Sequence, residues 1–293
     1  MVLWSTGTFL LHLVYWFPLS HLIPCQFPPT LQNPWKIIES LKEIIKDGNF
    51  ECSEPGITFQ GVDSSFVALV QLTLRRQGFS HYRVDDTVNL GINIENILKL
   101  LKCGGPKDSL TLSSQDESDT LSLFFESESR TSKFDNKLMV IDTEQLSVPT
   151  MQYTTSCQMA SSEFQRIVRD LSTIGDAVEI SITKEGVTFS VESPTGSGSI
   201  TLTGSETEND KKNSSSIKIK VEEELTQKFT LRYLNSFAKA SSLSEFVTLK
   251  LSSEAPLCVD FRMVLPNKDD ENPIALGALR FFLAPKADEQ EDE

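Results

Sequence analysis

Apolar and polar residues alternate over short stretches through most of the chain. This period of two is typical of half-buried strands in antiparallel sheets. It predicts a strand-rich fold in which each strand turns one face toward a core. The clearest runs are "FVALVQLTL", "SLTLSSQDESDTLSLFFE", "GSITLTG", "IKIKVEE" and "EFVTLKLSSEAPLCVDF".

Four segments follow a helical period instead. In "SSEFQRIVRDL", Phe164, Ile167, Val168 and Leu171 make one apolar stripe, and the two arginines lie opposite it. The other three segments repeat this arrangement, with lysine or arginine on the outer face. The predicted amphipathic helices cover residues 35–46, 94–102, 161–171 and 230–240.

A repeat relates the two halves of the chain. Leu41 precedes Gly56 by fifteen residues, and Leu171 precedes Gly186 by the same fifteen, an offset of 130. Each glycine opens a similar run, Gly-Ile-Thr-Phe or Gly-Val-Thr-Phe, and strands with a second helix follow in both halves. A duplicated α+β domain is the simplest interpretation.

Charge is unevenly distributed between the helices and the rest of the chain. The net charge of −14 predicts long-range repulsion of nucleic acid and anionic membranes. The four helical segments, however, hold nine basic and five acidic residues. If the fold gathers their polar faces on one surface, that surface can meet duplex phosphates without reading sequence. The nine basic residues are Lys36, Lys42, Lys46, Lys99, Lys102, Arg166, Arg169, Arg232 and Lys239.

Cysteine and histidine usage argues against several classes of site. The five cysteines are scattered and odd in number, which favours reduced, buried thiols in the cytosol or nucleus over a disulfide framework. A zinc site or a nucleophile–histidine centre would depend on His81, which has no supporting motif. We therefore expect neither a metal nor a cofactor, and no enzymatic activity.

The first 35 residues contain no Asp, Glu, Lys or Arg, although 23% of the chain is charged. The apolar run at residues 9–17 is too short for a bilayer span, which needs about 20 residues. No positive n-region of a signal peptide precedes it. Prolines between residues 18 and 34 make the segment poor strand material. We expect residues 1–34 to be an atypical apolar leader, foreign to the sequence that follows.

From Trp35 onward the sequence resembles the proliferating cell nuclear antigen family, the eukaryotic sliding clamps of DNA replication. The matching segments are "DSSFVALVQLTLR", "ILKLLKCGG", "KLMVIDTEQLSVP", "RDLSTIGDAVEI", "LRYLNSFAKA" and "FFLAPK". The resemblance implies an α+β DNA-clamp fold, with two similar domains that each place antiparallel sheets outside and two helices inside, assembling into a closed trimeric ring. The implied organisation is a leader at 1–34, clamp domain 1 at 35–138, an interdomain connector at 139–155, clamp domain 2 at 156–286 and an acidic tail at 287–293.

The resemblance also implies a function without catalysis. A nuclear homotrimer of this kind encircles double-stranded DNA independently of sequence and acts as a polymerase processivity factor. It serves replication, DNA repair and translesion synthesis, with no membrane association. The ATPase belongs to the loader, which agrees with the absence of a G-x-x-x-x-G-K-[ST] loop here. The implied partners are DNA polymerases, the clamp loader, a flap nuclease, a ligase and other proteins with short helical docking motifs.

Site residues are carried over position by position. The implied DNA-facing set is Lys36, Lys42, Lys99, Lys102, Arg166, Arg169 and Lys239, with Arg232 near Lys239. The implied partner groove is Val62, Leu146, Val148, Pro256, Phe282, Ala284 and Pro285. Lys184 matches the ubiquitin and SUMO acceptor, and is otherwise an ordinary turn lysine. The subunit interface is expected where an edge strand with Lys133 and Lys137 meets one with Gly198 and Ile200.

Several features depart from the family pattern. Trp35 stands where the family often has another lysine, and Phe66 replaces the usual histidine beside the groove. Residues 264–277 form a longer loop than usual. Two alternatives stay open: a clamp-like checkpoint subunit of a heterotrimer, and a non-functional variant with a damaged first domain. A checkpoint subunit should lack a good groove and self-complementary edges, whereas this chain keeps "IDTEQLSVP" and "FFLAPK".

Overall fold

The computed structural model describes residues 25–26, 34–105, 108–115, 118–142, 151–204, 217–265 and 274–286. Its elements fall into two series of the same order. The first is β1 (Cys25–Gln26), α1 (Pro34–Lys42), β2 (Asp47–Ser53), β3 (Gly56–Val62), β4 (Ala68–Arg75), β5 (His81–Tyr82), β6 (Val88–Asn93), α2 (Ile94–Leu101), β7 (Ser109–Ser114), β8 (Thr120–Glu126) and β9 (Thr131–Lys137). The second is β10 (Thr155–Ala160), α3 (Ser161–Leu171), β11 (Ala177–Ile182), β12 (Gly186–Ser193), β13 (Gly196–Thr203), β14 (Lys218–Val221), β15 (Leu225–Thr230), α4 (Leu231–Ala238), β16 (Phe246–Ser252), β17 (Ala255–Leu265) and β18 (Ile274–Leu283).

The strands form three antiparallel sheets. Their orders are β5-β1-β7-β8-β9, β14-β10-β16-β17-β18-β4-β3-β2-β6 and β13-β12-β11-β15. The nine-stranded sheet belongs to both halves because β18 pairs with β4, where Phe281 lies opposite Val70. The predicted α+β architecture with antiparallel sheets is therefore confirmed.

The four helices pack into one layer against these sheets. In α3 the predicted stripe of Phe164, Ile167, Val168 and Leu171 is buried, and the corresponding stripe of α2 is buried as well. α1 packs against α2, α3 packs against α4, and α1 also contacts the 3-10 helix Lys239–Leu243 that follows α4. The helix faces opposite the apolar stripes consequently share one surface. No helix in the described ranges is long and apolar enough to cross a membrane.

The first helix is shorter than predicted. It ends at Lys42, whereas the apolar period extends to residue 46. The N–H groups of Ile44 and Ile45 both donate to the carbonyl of Leu41, which closes a turn. The carbonyl of Lys46 accepts instead from the N–H of Ile94, so the chain leaves the helix to enter the sheet. Ile45 is still buried, because a turn can deliver an apolar side chain to the core as a helix does.

A two-residue strand forms in the proline-rich segment, where the sequence indicated none. Cys25 pairs with Tyr82 on β5 and with Leu112 on β7. The segment that its prolines mark as poor strand material therefore does supply a strand, limited to Cys25–Gln26. The strand bridges β5 and β7, whose backbone N–H and C=O groups need partners when they lie inside a sheet.

The second repeat shows which position this short strand occupies. Cys157 on β10 pairs with Ile219 on β14 and Leu249 on β16. Each of these partners lies 137 residues after the corresponding partner of Cys25. β1 is thus the register equivalent of β10, and both cysteines are followed by glutamine. β10 is six residues long, so the first repeat holds a much shorter version of the same strand.

Candidate nucleic-acid interface and docking groove

The seven predicted DNA-facing residues all lie on the helix layer. They are distributed over α1, α2 with its C-terminal cap Lys102, α3 and the 3-10 helix that begins at Lys239. Lys36 is half-buried and the other six are exposed. The structure therefore places the predicted set on helices that contact one another. This agrees with the sequence pattern, in which the basic residues lie opposite the buried apolar stripes.

Two ion pairs join α1 to its neighbours across this surface. Lys102 Nζ lies 2.7 Å from Glu39 Oε1, which links α2 to α1. Lys239 Nζ lies 2.8 Å from Glu43 Oε1 in the turn directly after α1, which links the second half of the chain to this end of the helix. Each pair is partly exposed, and exposed pairs contribute little to stability. Their larger effect is to neutralise two of the predicted DNA-facing lysines.

Three further pairs form within single helices. All five acidic residues of the helical segments are thereby paired with members of the predicted DNA-facing set. The basic residues left without a carboxylate partner in the described parts of the chain account for the positive excess. The intrahelical pairs are Lys99–Glu95 at 3.5 Å, Arg166–Glu163 at 2.9 Å and Arg169–Asp170 at 3.2 Å. The remaining basic residues are Lys36, Lys42, Lys46 and Arg232.

Trp35 takes part in this charged surface instead of simply replacing a lysine. The Nζ atoms of Lys102 and Lys36 lie 5.4 and 6.0 Å from its ring centroid. Ammonium groups at this distance are attracted to the face of an indole. The indole ring therefore helps to hold two basic side chains at the start of α1. The sequence showed only that Trp35 stands in place of a lysine and did not predict this role.

The groove residues that the structure describes lie on the side of the nine-stranded sheet away from the helix layer. Phe281 stacks on Phe237 of α4 with ring centroids 4.5 Å apart, so it faces the helices. Neighbouring strand residues point to opposite faces, which places Phe282, whose side chain is largely buried, on the face away from the helices. Phe282 lies opposite Leu69 on β4, and Leu69 lies opposite Val62 on β3. An apolar row therefore crosses three strands, and two of its members were predicted.

The remaining groove residues extend this row. Cys258 on β17 lies directly opposite Phe282 on β18. Pro256 lies two residues before Cys258, and Ala284 lies two residues after Phe282, so both are at the same end of this strand pair. Ala284 and Pro285 are exposed beyond the end of β18. Tyr153 donates a 3.1 Å hydrogen bond from its hydroxyl to the carbonyl of Pro256. The predicted groove residues Leu146 and Val148 lie outside the described residues.

Sequence reasoning missed Leu69, Cys258 and Tyr153 as parts of the groove. Leu69 was visible in principle, because the alternation in "FVALVQLTL" places it on the face opposite Ala68 and Val70. Cys258 and Tyr153 depend on pairings between segments far apart in sequence, which no local pattern contains.

The rim of the groove carries an exposed phenylalanine in an uncommon backbone conformation. Phe66 has φ of +58°, and 82% of its surface is exposed. A bulky residue with positive φ is strained relative to glycine or asparagine at the same place. The turn holds it because the Phe66 N–H donates to the carbonyl of Asp63 at 3.0 Å.

The two strands predicted to meet another subunit are both sheet edges. β9 ends the five-stranded sheet, and β13 ends the four-stranded one. Lys137 is paired with Asp119 at 2.9 Å, and Lys133 with Asp135 at 3.3 Å. On β13, a Cβ added to Gly198 would lie 2.7 Å from Ile174 Cδ1, so the strand runs close to the end of α3. Ile200, two residues on, is half-buried against the core.

Lys184 lies in the turn between β11 and β12, and its side chain is exposed. Its backbone N–H donates to Glu224 Oε1 at 3.4 Å. The described part of the chain contains no group of three His, Cys, Asp or Glu side chains placed to hold a metal ion.

Comparison with protein families covers both halves of this fold. Residues 34–146 match the N-terminal domain of proliferating cell nuclear antigen, and residues 147–286 match its C-terminal domain. The junction of the two matches falls between β9 and β10, where the first repeat ends. The chain therefore belongs to the proliferating cell nuclear antigen family of DNA sliding clamps.

Proposed function

We propose that three copies of this chain close into a ring around double-stranded DNA. The ring acts in the nucleus as a processivity factor and docking platform, and it catalyses no reaction. Replicative polymerases and repair factors are held on their template by binding its outer face.

The pairing of β18 with β4 is the observation that best supports the ring. β18 closes the second series of elements as β9 closes the first, and β13 holds in the second series the place of β4 in the first. β18 and β4 pair with each other, whereas β9 and β13 are left at sheet edges. A second copy that sets its β13 against β9 repeats the junction already present inside the chain. Three copies then supply six similar domains.

Mass photometry of the purified full-length protein tests this assembly. A trimer has about three times the 32.7 kDa mass of the chain. The same measurement without residues 1–34 shows whether the leader affects assembly. A stable monomer in both forms would contradict the homotrimer, and it is the result expected of a checkpoint subunit purified without its partners.

The helix layer is the proposed DNA-facing surface. Its basic side chains project from the outer faces of several helices, an arrangement suited to the phosphates of a duplex and not to reading its sequence. Each of its five acidic residues is paired with a lysine or arginine and neutralises that side chain. We infer that the surface therefore holds DNA weakly. Retention then depends on ring closure, and a linear duplex should lose a loaded ring from its ends.

The outer groove is the proposed docking site for short amphipathic helices with aromatic anchors. DNA polymerases, the clamp loader, a flap nuclease and a ligase are the proposed owners of such segments. Changing Leu146 and Val148 together to alanine should leave the trimer intact and abolish stimulation of a polymerase. Unchanged stimulation would refute the groove.

Lys184 is the proposed site of ubiquitin or SUMO conjugation and of the link to translesion synthesis. Its support is an exposed side chain in a turn and its position in "ITKEGV". Lys184→Arg should abolish conjugation in a reconstituted reaction while leaving polymerase stimulation unchanged. Conjugation of the variant at the wild-type rate would place the acceptor elsewhere.

A further inference from the structure

A buried carboxylate beside the groove is surrounded by three basic side chains. Asp260 on β17 is fully buried. Its Oδ2 lies 2.9 Å from Lys250 Nζ and 3.4 Å from Arg262 Nε, and its Oδ1 lies 3.5 Å from Arg280 Nε. One negative charge is therefore set against three positive ones, on a chain whose net charge is −14.

The cluster carries more positive charge than its single carboxylate balances. The side chains of Arg262 and Arg280 are 63% and 38% exposed. The surplus is about two positive charges, partly accessible from solvent and held close together around one carboxylate.

The cluster and the groove share one face of the sheet. Asp260 lies opposite Arg280, just as Cys258 lies opposite Phe282 one pair along the same two strands. Two residues along a strand correspond to about 7 Å. A side chain next to an aromatic anchor that rests on Phe282 is therefore close enough to reach the basic cluster.

We propose that Lys250, Arg262 and Arg280 receive carboxylate side chains of a partner peptide whose apolar anchors occupy the groove. This rests on the proposed docking function and adds a preference among the peptides that dock there. Guanidinium groups bind carboxylates in a fixed, paired geometry. The acidic remainder of the surface repels the same peptides, so an acidic extension is favoured only when it reaches this cluster.

Three synthetic peptides test the proposal by fluorescence anisotropy with the full-length protein. All carry the same amphipathic helix with two adjacent aromatic residues, followed by three glutamates, three glutamines or three lysines. At about 0.05 M salt we expect the glutamate peptide to bind about tenfold more tightly than the glutamine peptide. At about 0.5 M salt the difference should fall to about twofold, because the screening length shortens. The lysine peptide should bind most weakly.

Arg262→Gln provides the matched variant. Its side chain is the most exposed of the three, and its loss leaves two cations to balance Asp260, so the fold should persist. The variant should reduce the advantage of the glutamate peptide about threefold without changing the glutamine peptide. Arg83→Gln, which removes a half-exposed arginine paired with Asp85 outside the nine-stranded sheet, is the control and should change neither.

The outcomes separate this proposal from the docking function. Equal binding of all three peptides leaves the groove in place and overturns the role of the basic cluster. Failure of every peptide to bind overturns the groove itself. A glutamate preference seen only after removal of residues 287–293 would make the acidic tail of this chain the occupant, and would also overturn the proposal.

Discussion

The hydroxyl of Tyr233 donates a 2.8 Å hydrogen bond to Asp63 Oδ2. Tyr233 lies on α4 in the second half of the chain, and Asp63 lies in the turn between β3 and β4 in the first. The same carboxylate accepts from the N–H groups of Val67 at 2.8 Å and Ala68 at 2.7 Å. One buried group thus shapes the rim of the groove and anchors it to the helix layer of the other half.

Tyr233→Phe should destabilise the protein by about 1.5–3 kcal/mol, the range for hydrogen bonds to charged groups. Urea denaturation measures the loss. Asp63→Asn and the double variant complete a cycle that isolates the pairwise energy. We expect Tyr233→Phe to lower the stability of the wild-type protein. In the Asp63→Asn background the same change should cause no further loss. Strictly additive losses would show that the two side chains stabilise the fold independently.

The same contact makes stability depend on pH. Burial by itself raises the pKa of Asp63, but hydrogen bonds from the Ala68 N–H, the Tyr233 hydroxyl and two further N–H groups outweigh it and hold the pKa below its ordinary value. The carboxylate therefore stabilises the fold above the unfolded pKa of about 3.9, and this contribution is lost as pH falls through the lower folded value. Tyr233→Phe should raise the folded pKa and move acid unfolding to higher pH.

The ion pairs between acidic and basic side chains on the helix layer predict that the acidic residues weaken DNA binding. Changing Glu39 and Glu43 together to glutamine releases Lys102 and Lys239. If both then meet phosphates, the slope of log affinity against log salt should steepen by about 1.8, at about 0.9 per contact. Anisotropy of a labelled duplex over a salt series measures it.

Two variants make this comparison specific. Lys42→Gln should make the slope shallower by about 0.9, since Lys42 has no carboxylate partner among the described residues. Glu222→Gln releases Lys220 on β14, away from the helices, and should leave the slope unchanged. Equal slopes for all variants would show that these helices do not meet the duplex.

The short strand β1 predicts a weak point in the first half. Removing residues 1–33 deletes the Cys25–Gln26 strand, which takes away the strand neighbour of His81–Tyr82 and one of the two strand neighbours of Ser109–Ser114. An apolar cavity of about 80 Å³, lined in part by Ile37 and Leu112, adds to the looser packing there. Hydrogen exchange should accelerate in β5 and β7, while β14 and β16 stay protected. Removal of residues 287–293 is the control, and unchanged exchange would mean that β1 adds no stability.

Local patterns predicted the repeated helices and strands because burial imposes its own period. Phe164, Ile167 and Val168 are buried as the stripe requires. The same reasoning failed at the end of α1, since Ile44 and Ile45 keep the helical spacing inside a turn. A periodic pattern records which side chains face the core and not which backbone conformation delivers them.

The candidate sites show a second limit. Helix faces were predictable, but the pairing of Lys239 with Glu43 joins residues 196 positions apart and depends on how the helices pack. Likewise, the row that joins Leu69 to Phe282 requires the register of β4 against β18. Sequence supplies the residues of such contacts, and only the assembled sheet supplies their neighbours.

Thiol reactivity gives a last test of the core. Burial raises the pKa of Cys52 and Cys157 to about 12 and that of Cys258 to about 11. At pH 8 about one thiol in a thousand or fewer is then the reactive thiolate. Cys103 is exposed, and its thiol donates a 3.4 Å hydrogen bond to the carbonyl of Lys99.

In a Cys25→Ser background, a disulfide reagent at pH 8 should therefore modify one thiol rapidly, and peptide mapping should identify it as Cys103. Adding Cys103→Ser should remove the rapid phase, and urea should expose the three remaining thiols together. Peptide docking should not alter the rate at Cys258, although it lies in the groove row, because Cys258 is already buried there. Rapid modification of Cys258 in the folded variant would instead mean that the sheet face beneath the groove opens to solvent.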